Sequence, residues 1–134
     1  HQQATYRRWA QSVPPGFRFS AKLPRAITHD ARLRGIGREL DRFVGEIEGL
    51  GRKLALVLVQ LPPSLVLEPR VASTFFAMLR KRLDVGIACE ARHASWFTPK
   101  AQALLQRHAI ARVAPDPPVP VDEAHAPGGD PRWR

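Results

Sequence analysis

The sequence is poor in cysteine. Cys89 is the single one, so no disulfide forms within the chain, which fits a reducing, cytoplasmic setting. No apolar run approaches the roughly 20 residues that cross a bilayer, so no membrane partner is expected. The opening HQQATYRRWA is polar and helix-forming and lacks the apolar centre of a secretory leader. The chain does not begin with Met, which reads as a piece of something longer. There is no C-x-x-C, H-x-x-x-H or aspartate-rich loop, so no metal site is assigned. Nor is there a glycine-rich phosphate loop after a strand, a G-x-S-x-G turn or a dinucleotide fingerprint, and no redox cofactor is expected.

What is present is ordinary in bulk and biased in charge. The 134 residues are 44% hydrophobic and 25% charged, which suits one domain with a real core. The formal net charge is +9 and the pI about 11.2. Such a balance attracts nucleic acid or small anionic ligands. The basic residues are mostly arginines scattered over helical segments (YRRW, GREL, LRKRL, LQRH), with no long basic block, which is also the pattern of solvated helix faces.

Period and punctuation predict an alternation of strands and helices. A helix is expected over about residues 2–11, broken by PPG at 14–16. FRFSA alternates as a strand, and KLPRAITHD follows as a loop. Ile36, Leu40, Phe43, Val44 and Ile47 share a helical face, with Gly49 and Gly51 suited to ending that helix. LALVLVQL is a continuous apolar strand of the kind covered on both sides. Val71, Phe75, Met78 and Leu79 mark a third helix, and VGIACE a third strand. Thr98 and Pro99 give an N-cap and first-turn signal for a helix carrying Ala101, Leu104, Leu105 and His108, the last read as core. IARVA is a fourth strand. The order predicts an α/β fold with parallel strands and right-handed crossovers. Residues 1–114 hold these units, and residues 115–134, rich in Pro and Gly, read as a loop or tail.

Strand parity gathers the polar residues. Lys22 shares a face with Ser20, Gln60 with Leu58, Glu90 with Ala88, and Asp116 with Ala114. Each lies at or just past the C-terminal end of its strand, where sites sit in α/β barrels and open sheets alike. Arg18 and Arg112 share the parity of this inner face, which is awkward for an interior.

GFRFSAKLPRAITH, LVLVQLPPSL and CEARHASWF resemble, in order and spacing, the successive signature segments of the YecE-like family, a domain of unknown function. ARVAPDPP resembles its next strand and acidic residue. The resemblance covers nearly the whole chain. It implies TIM-barrel-type (β/α) units, here an incomplete barrel of about four strands, since a full barrel takes about 250 residues. The edges left open in such a piece invite association. The chain departs from the pattern at Ala91, where an aromatic is usual, and at Ala94, often Pro, which implies looser packing beside the site. The resemblance supplies no reaction.

The residues themselves offer two chemistries each. Lys22, Arg25, Thr28 and His29 form a basic side able to clamp an anion, or Lys22 pairs structurally with Glu90. Glu90 is a candidate general acid or base, or a buried partner of Lys22 or Arg92. His93 is a candidate proton shuttle, or it only hydrogen-bonds a loop. Gln60 and Arg92 are candidate binding residues with Asp116. Trp96 and Phe97 read as anchors. A divalent metal on His29, Glu90, His93 and Asp116 is the weaker possibility. The expectation is an enzyme acting on a small anionic or polyhydroxylated substrate. The alternatives are a nucleic-acid or nucleotide-binding module, or an incomplete piece with no activity of its own.

Overall fold

Four apolar segments become the strands of one parallel sheet in the computed structural model, which describes residues 3–114. The strands are β1 (Phe19–Lys22), β2 (Leu54–Gln60), β3 (Gly86–Glu90) and β4 (Ile110–Arg112). They lie in sequence order, each joined to the next by a crossover that contains a helix. The helices are α1 (Gln3–Gln11), α2 (Gly37–Ile47), α3 (Pro69–Arg82) and α4 (Pro99–Arg107). This is an open sheet of TIM-barrel type; the barrel is not closed among the described residues. The predicted tail at 115–134, with Asp116, lies outside them.

Register explains which face became core. Val57 pairs with Ala21 and Ile87, and Val59 with Cys89. Parallel partners share a face, and this one is covered by the helices: Val57, Val59, Ile87 and Cys89 are all at most 1% exposed. Phe75, Phe76 and Leu79 of α3 and Leu40, Phe43 and Ile47 of α2 are also buried. Each such side chain contributes about 1.5–3 kcal/mol on burial. The other face carries Lys22, Leu58, Ala88 and Ala111 in one row and Gln60 and Glu90 in the next.

Arg112 corrects the parity reading of β4. It pairs with Cys89 and therefore stands on the helix face, while Ala111 takes the inner one. β4 ends at Arg112, so strand alternation does not carry on to Ala114 and Asp116, from which the inner face was assigned. Arg112 is 5% exposed. It stacks over Phe97 and donates from Nη2 to the Trp96 carbonyl at 2.6 Å, while Nε and Nη1 find no acceptor among the described residues. Arg18 is not interior either. It precedes β1, is exposed, and donates to the carbonyls of Pro15 and Phe17.

Two further expectations change. KLPRAITHD is no loop throughout: Ala26–Asp30 forms a π-helical turn. Pro24 enters it and its carbonyl accepts from Ile27 and Thr28, and Ile27, fully buried, pins it to the core. His108 is not core. It sits half-buried at the end of α4, with Nε2 3.2 Å from the Ser73 hydroxyl.

Arg80 knits the lower ends of β3 and β4. From α3 it donates to the carbonyls of Leu83, Val85, His108 and Ala109. At the opposite flank, α1 buries no residue of its own and is held by others. Lys53 donates to the carbonyls of Ala10 and Val13 at 2.5 and 3.1 Å, and Gln3 to that of Gly45 at 2.9 Å. Gly49 lets α1 approach. A Cβ there would overlap the Gln3 carbonyl oxygen and lie 2.8 Å from the Arg7 nitrogen. Gly49→Ala is therefore expected to unseat α1, lowering stability by about 1–3 kcal/mol. Faster proteolysis near Pro14 with a lowered melting temperature checks it; an unchanged cleavage pattern would mean that α1 is not seated through Gly49.

Candidate functional site

The C-terminal ends of β1, β2 and β3 deliver three polar side chains to one place on the inner face. Lys22 closes β1, Gln60 closes β2 and Glu90 closes β3. Gln60 and Glu90 are register partners. Lys22 lies one row lower, and its long stem covers the difference. Its Nζ donates to Gln60 Oε1 at 3.2 Å, and Gln60 Nε2 donates to Glu90 Oε2 at 3.3 Å. The cation takes the amide oxygen and the carboxylate takes the amide nitrogen, so the side chain of Gln60 has one orientation that satisfies both. No ion pair joins Lys22 to Glu90. Opposite charges stand at the strand ends with a neutral amide between them, and each retains unused hydrogen-bonding capacity.

A basic turn adjoins Lys22. Arg25 is exposed at the start of the π-helical turn. Thr28, 1% exposed, places its hydroxyl 2.7 Å from His29 Nδ1. Burial first, then the Arg25 cation, lowers the His29 pKa below the ordinary histidine value; Lys22 and Arg32 act in the same direction, and Asp30 opposes them. Arg32 is carried into this neighbourhood by strained backbone, with φ 50° at Arg32 and 70° at Leu33. Its guanidinium is fastened to the hydroxyl and carbonyl of Ser64, at 3.2 and 3.1 Å. That bond ties the β1–α2 loop to the β2–α3 loop.

The segment CEARHASWF leaves the core in three steps. Ala91 is buried, Arg92 and His93 are half-buried, and Trp96 is buried again with Nε1 donating to the Leu65 carbonyl at 2.9 Å. Trp96 is thus an anchor, as expected. His93 caps the short helical turn Ala94–Trp96, its Nδ1 accepting from the Ser95 amide at 3.1 Å. The Ser95 hydroxyl accepts from the Leu67 amide at 2.7 Å and lies 2.8 Å from the same Nδ1, so its proton points to the ring. Nδ1 is therefore the acceptor, and the ring proton sits on Nε2. Only Nε2–H is left for chemistry.

The structure brings Lys22, Gln60 and Glu90 into one hydrogen-bonded run and sets Arg25, Thr28 and His29 beside its Lys22 end. Arg92 and His93 follow Glu90 on the next loop. Asp116 lies outside the described residues. Among the described residues no three His, Cys, Asp or Glu side chains gather in a way that could hold a metal ion. Sequence reading missed Ser95 as the partner of His93, since a histidine is not among the usual N-cap residues. It also missed Arg32. Nothing local announces a left-handed arginine, and Gly35 is the one nearby residue suited to such a bend.

A second feature among the described residues lies away from the strand ends. A groove of about 440 Å³ lies between the N-terminal ends of α2 and α3, lined by Leu33, Ile36, Arg70, Val71, Thr74 and Met78, among others. None of its lining residues is a carboxylate, so it lacks the acid or base that Glu90 offers at the strand ends.

Comparison with known proteins agrees with the fold. A family model described as "Protein of unknown function DUF72" matches residues 1–133; this is the family called YecE-like above. A crystal structure of a DUF72 family protein from Thermotoga maritima is similar with 28% identity and a TM-score of 0.68, over 81% of this chain and 44% of that one. Two crystal structures of a DUF72 family protein from Enterococcus faecalis are similar in fold. Their identities are 21% and 18% and their TM-scores 0.67 and 0.66, over 90% and 98% of this chain and 50% and 55% of those. The chain thus spans about half the length of these proteins. No curated protein matches it.

Proposed function

The chain belongs to the DUF72 family, whose description names no reaction, and from that premise we propose that its strand ends form part of an enzyme site for a small anionic or polyhydroxylated substrate. In this reading Glu90 is the general acid or base, Lys22, Arg25 and Arg92 hold negative charge, and Gln60 orients both ends. His93 offers Nε2–H as a donor or proton carrier. The observation that carries the reading is the Lys22–Gln60–Glu90 run. A structural ion pair would bring the two charges together. Here an amide holds them apart, which leaves a cation to receive an anion and a carboxylate to receive a proton. The single buried thiol, Cys89, suits a reducing, cytoplasmic location.

The nucleic-acid reading rests on the +9 charge, and four of the 21 basic residues have structural duties. Arg80 serves backbone carbonyls, Arg34 pairs with Glu68, Arg82 pairs with Asp41, and Arg112 is buried. Among the described residues no helix is long and apolar enough to cross a membrane.

Calorimetry with a panel of sugar acids, sugar phosphates and polyols, at two salt concentrations, tests the proposal. A saturable response weakened about tenfold or more by Lys22→Gln is expected. Affinity confined to oligonucleotides and falling steeply with salt would replace the enzyme reading with the rival.

A further inference from the structure

The turn after β1 is more basic than a structural role requires. Arg25 and His29 stand four residues apart on one helical turn that begins just after Lys22 ends β1, and the cations of Arg25, Lys22 and Arg32 bear on the ring against the single carboxylate of Asp30. They come from different places: Lys22 from the end of β1, Arg25 from the start of the turn, and Arg32 from the loop fastened to Ser64. Their donors are not used up. Arg25 is exposed with no partner among the described residues, and Lys22 has Gln60 alone as acceptor. His29 is partly exposed, with Nδ1 engaged by Thr28 and Nε2 left over.

The arrangement leaves an excess of two positive charges around one imidazole. A carboxylate would leave one of them uncompensated. A phosphate monoester carries about −1.5 to −2 near neutral pH and offers three acceptor oxygens, enough for several donors at once. Lys22 belongs both to this cluster and to the hydrogen-bonded run that ends at Glu90, so a group held here lies at the entrance to the carboxylate.

Resting on the site proposed above, we infer that Lys22, Arg25 and His29 form a phosphate subsite, and that the substrate is a phosphate monoester whose phosphate docks on the turn Ala26–Asp30. Arg32 adds charge from the second loop, and Asp30 limits the excess.

His29 is the reporter. Cations disfavour its protonated form, and a nearby dianion offsets them, so bound phosphate raises its pKa. The experiment follows the assigned His29 ring signals of the 134-residue chain by NMR through a pH titration, with inorganic phosphate, acetate or chloride at matched ionic strength. The expected result is a saturable upward shift with phosphate, little change with acetate or chloride, and phosphate affinity about tenfold weaker in Arg25→Gln. An equal shift with chloride would mean charge screening alone and would overturn the inference. So would an equal effect of acetate, or phosphate binding indifferent to Arg25→Gln. Arg25 is exposed, so the variant is expected to fold, and an unchanged backbone spectrum verifies it. The readout does not involve turnover. A failed acid/base role for Glu90 leaves a positive result standing, and an absent phosphate effect removes the subsite while leaving the role of Glu90 to its own test.

Discussion

Glu90→Gln is expected to leave the fold intact and to lower turnover on the order of 10²–10⁴-fold. The substitution keeps the shape and keeps an oxygen to accept from Gln60 Nε2, the one hydrogen bond the carboxylate makes among the described residues. It removes the group that exchanges a proton. Because no ion pair joins Glu90 to Lys22, no buried cation is orphaned, and the stability cost is about 1 kcal/mol or less. Had the two been a direct buried pair, breaking it would cost about 3–5 kcal/mol. Turnover and melting temperature measured on one sample separate the cases. Full turnover with a clearly lowered melting temperature would make Glu90 a scaffold residue.

Arg80→Met is expected to produce the largest loss of stability. Met keeps the apolar stem and removes the donors to the carbonyls of Leu83, Val85, His108 and Ala109. These carbonyls lie in the two loops that enter β3 and β4, and one belongs to Ala109, held at φ 55°. Hydrogen bonds from a charged donor contribute about 1.5–3 kcal/mol when buried. With part of the guanidinium reached by solvent, a total of about 2–4 kcal/mol is expected, and a melting temperature lower by roughly 10 °C or more. Thermal unfolding of Arg80→Met beside Arg80→Lys checks it. A drop within a degree or two for Met would show that water replaces these bonds at no cost.

Much of this organisation is legible in the residues, and the exceptions share a cause. The strands announced themselves because buried parallel strands must be apolar on both faces, as Leu54–Gln60 is. Thr98 and Pro99 marked α4 by local chemistry alone: the Thr98 hydroxyl accepts from the Ala101 amide at 3.1 Å. Parity placed Lys22, Gln60 and Glu90 together because from Ser20, Leu56 and Gly86 onward the three strands stay in register. It failed at β4, which is only three residues long and stops at Arg112, so parity counted back from Asp116 put Arg112 on the wrong face. The turn Ala26–Asp30 was hidden because nothing in AITHD favours a helix strongly, and its cause is the burial of Ile27 and Thr28. Long-range bonds such as Arg32 to Ser64 leave no local pattern at all. The amide bridge at Gln60 belongs to the same class: its position was readable, its orientation was not.

The most direct test of the account is a high-resolution crystal structure of the protein with whatever small ligand co-purifies, or with a phosphate monoester soaked in its absence. Ligand density at the strand ends is expected, within hydrogen-bond distance of Lys22 Nζ on one side and the Glu90 carboxylate on the other, with Gln60 still between them. Density seated in the groove between α2 and α3, with the Lys22–Gln60–Glu90 run untouched, would contradict it.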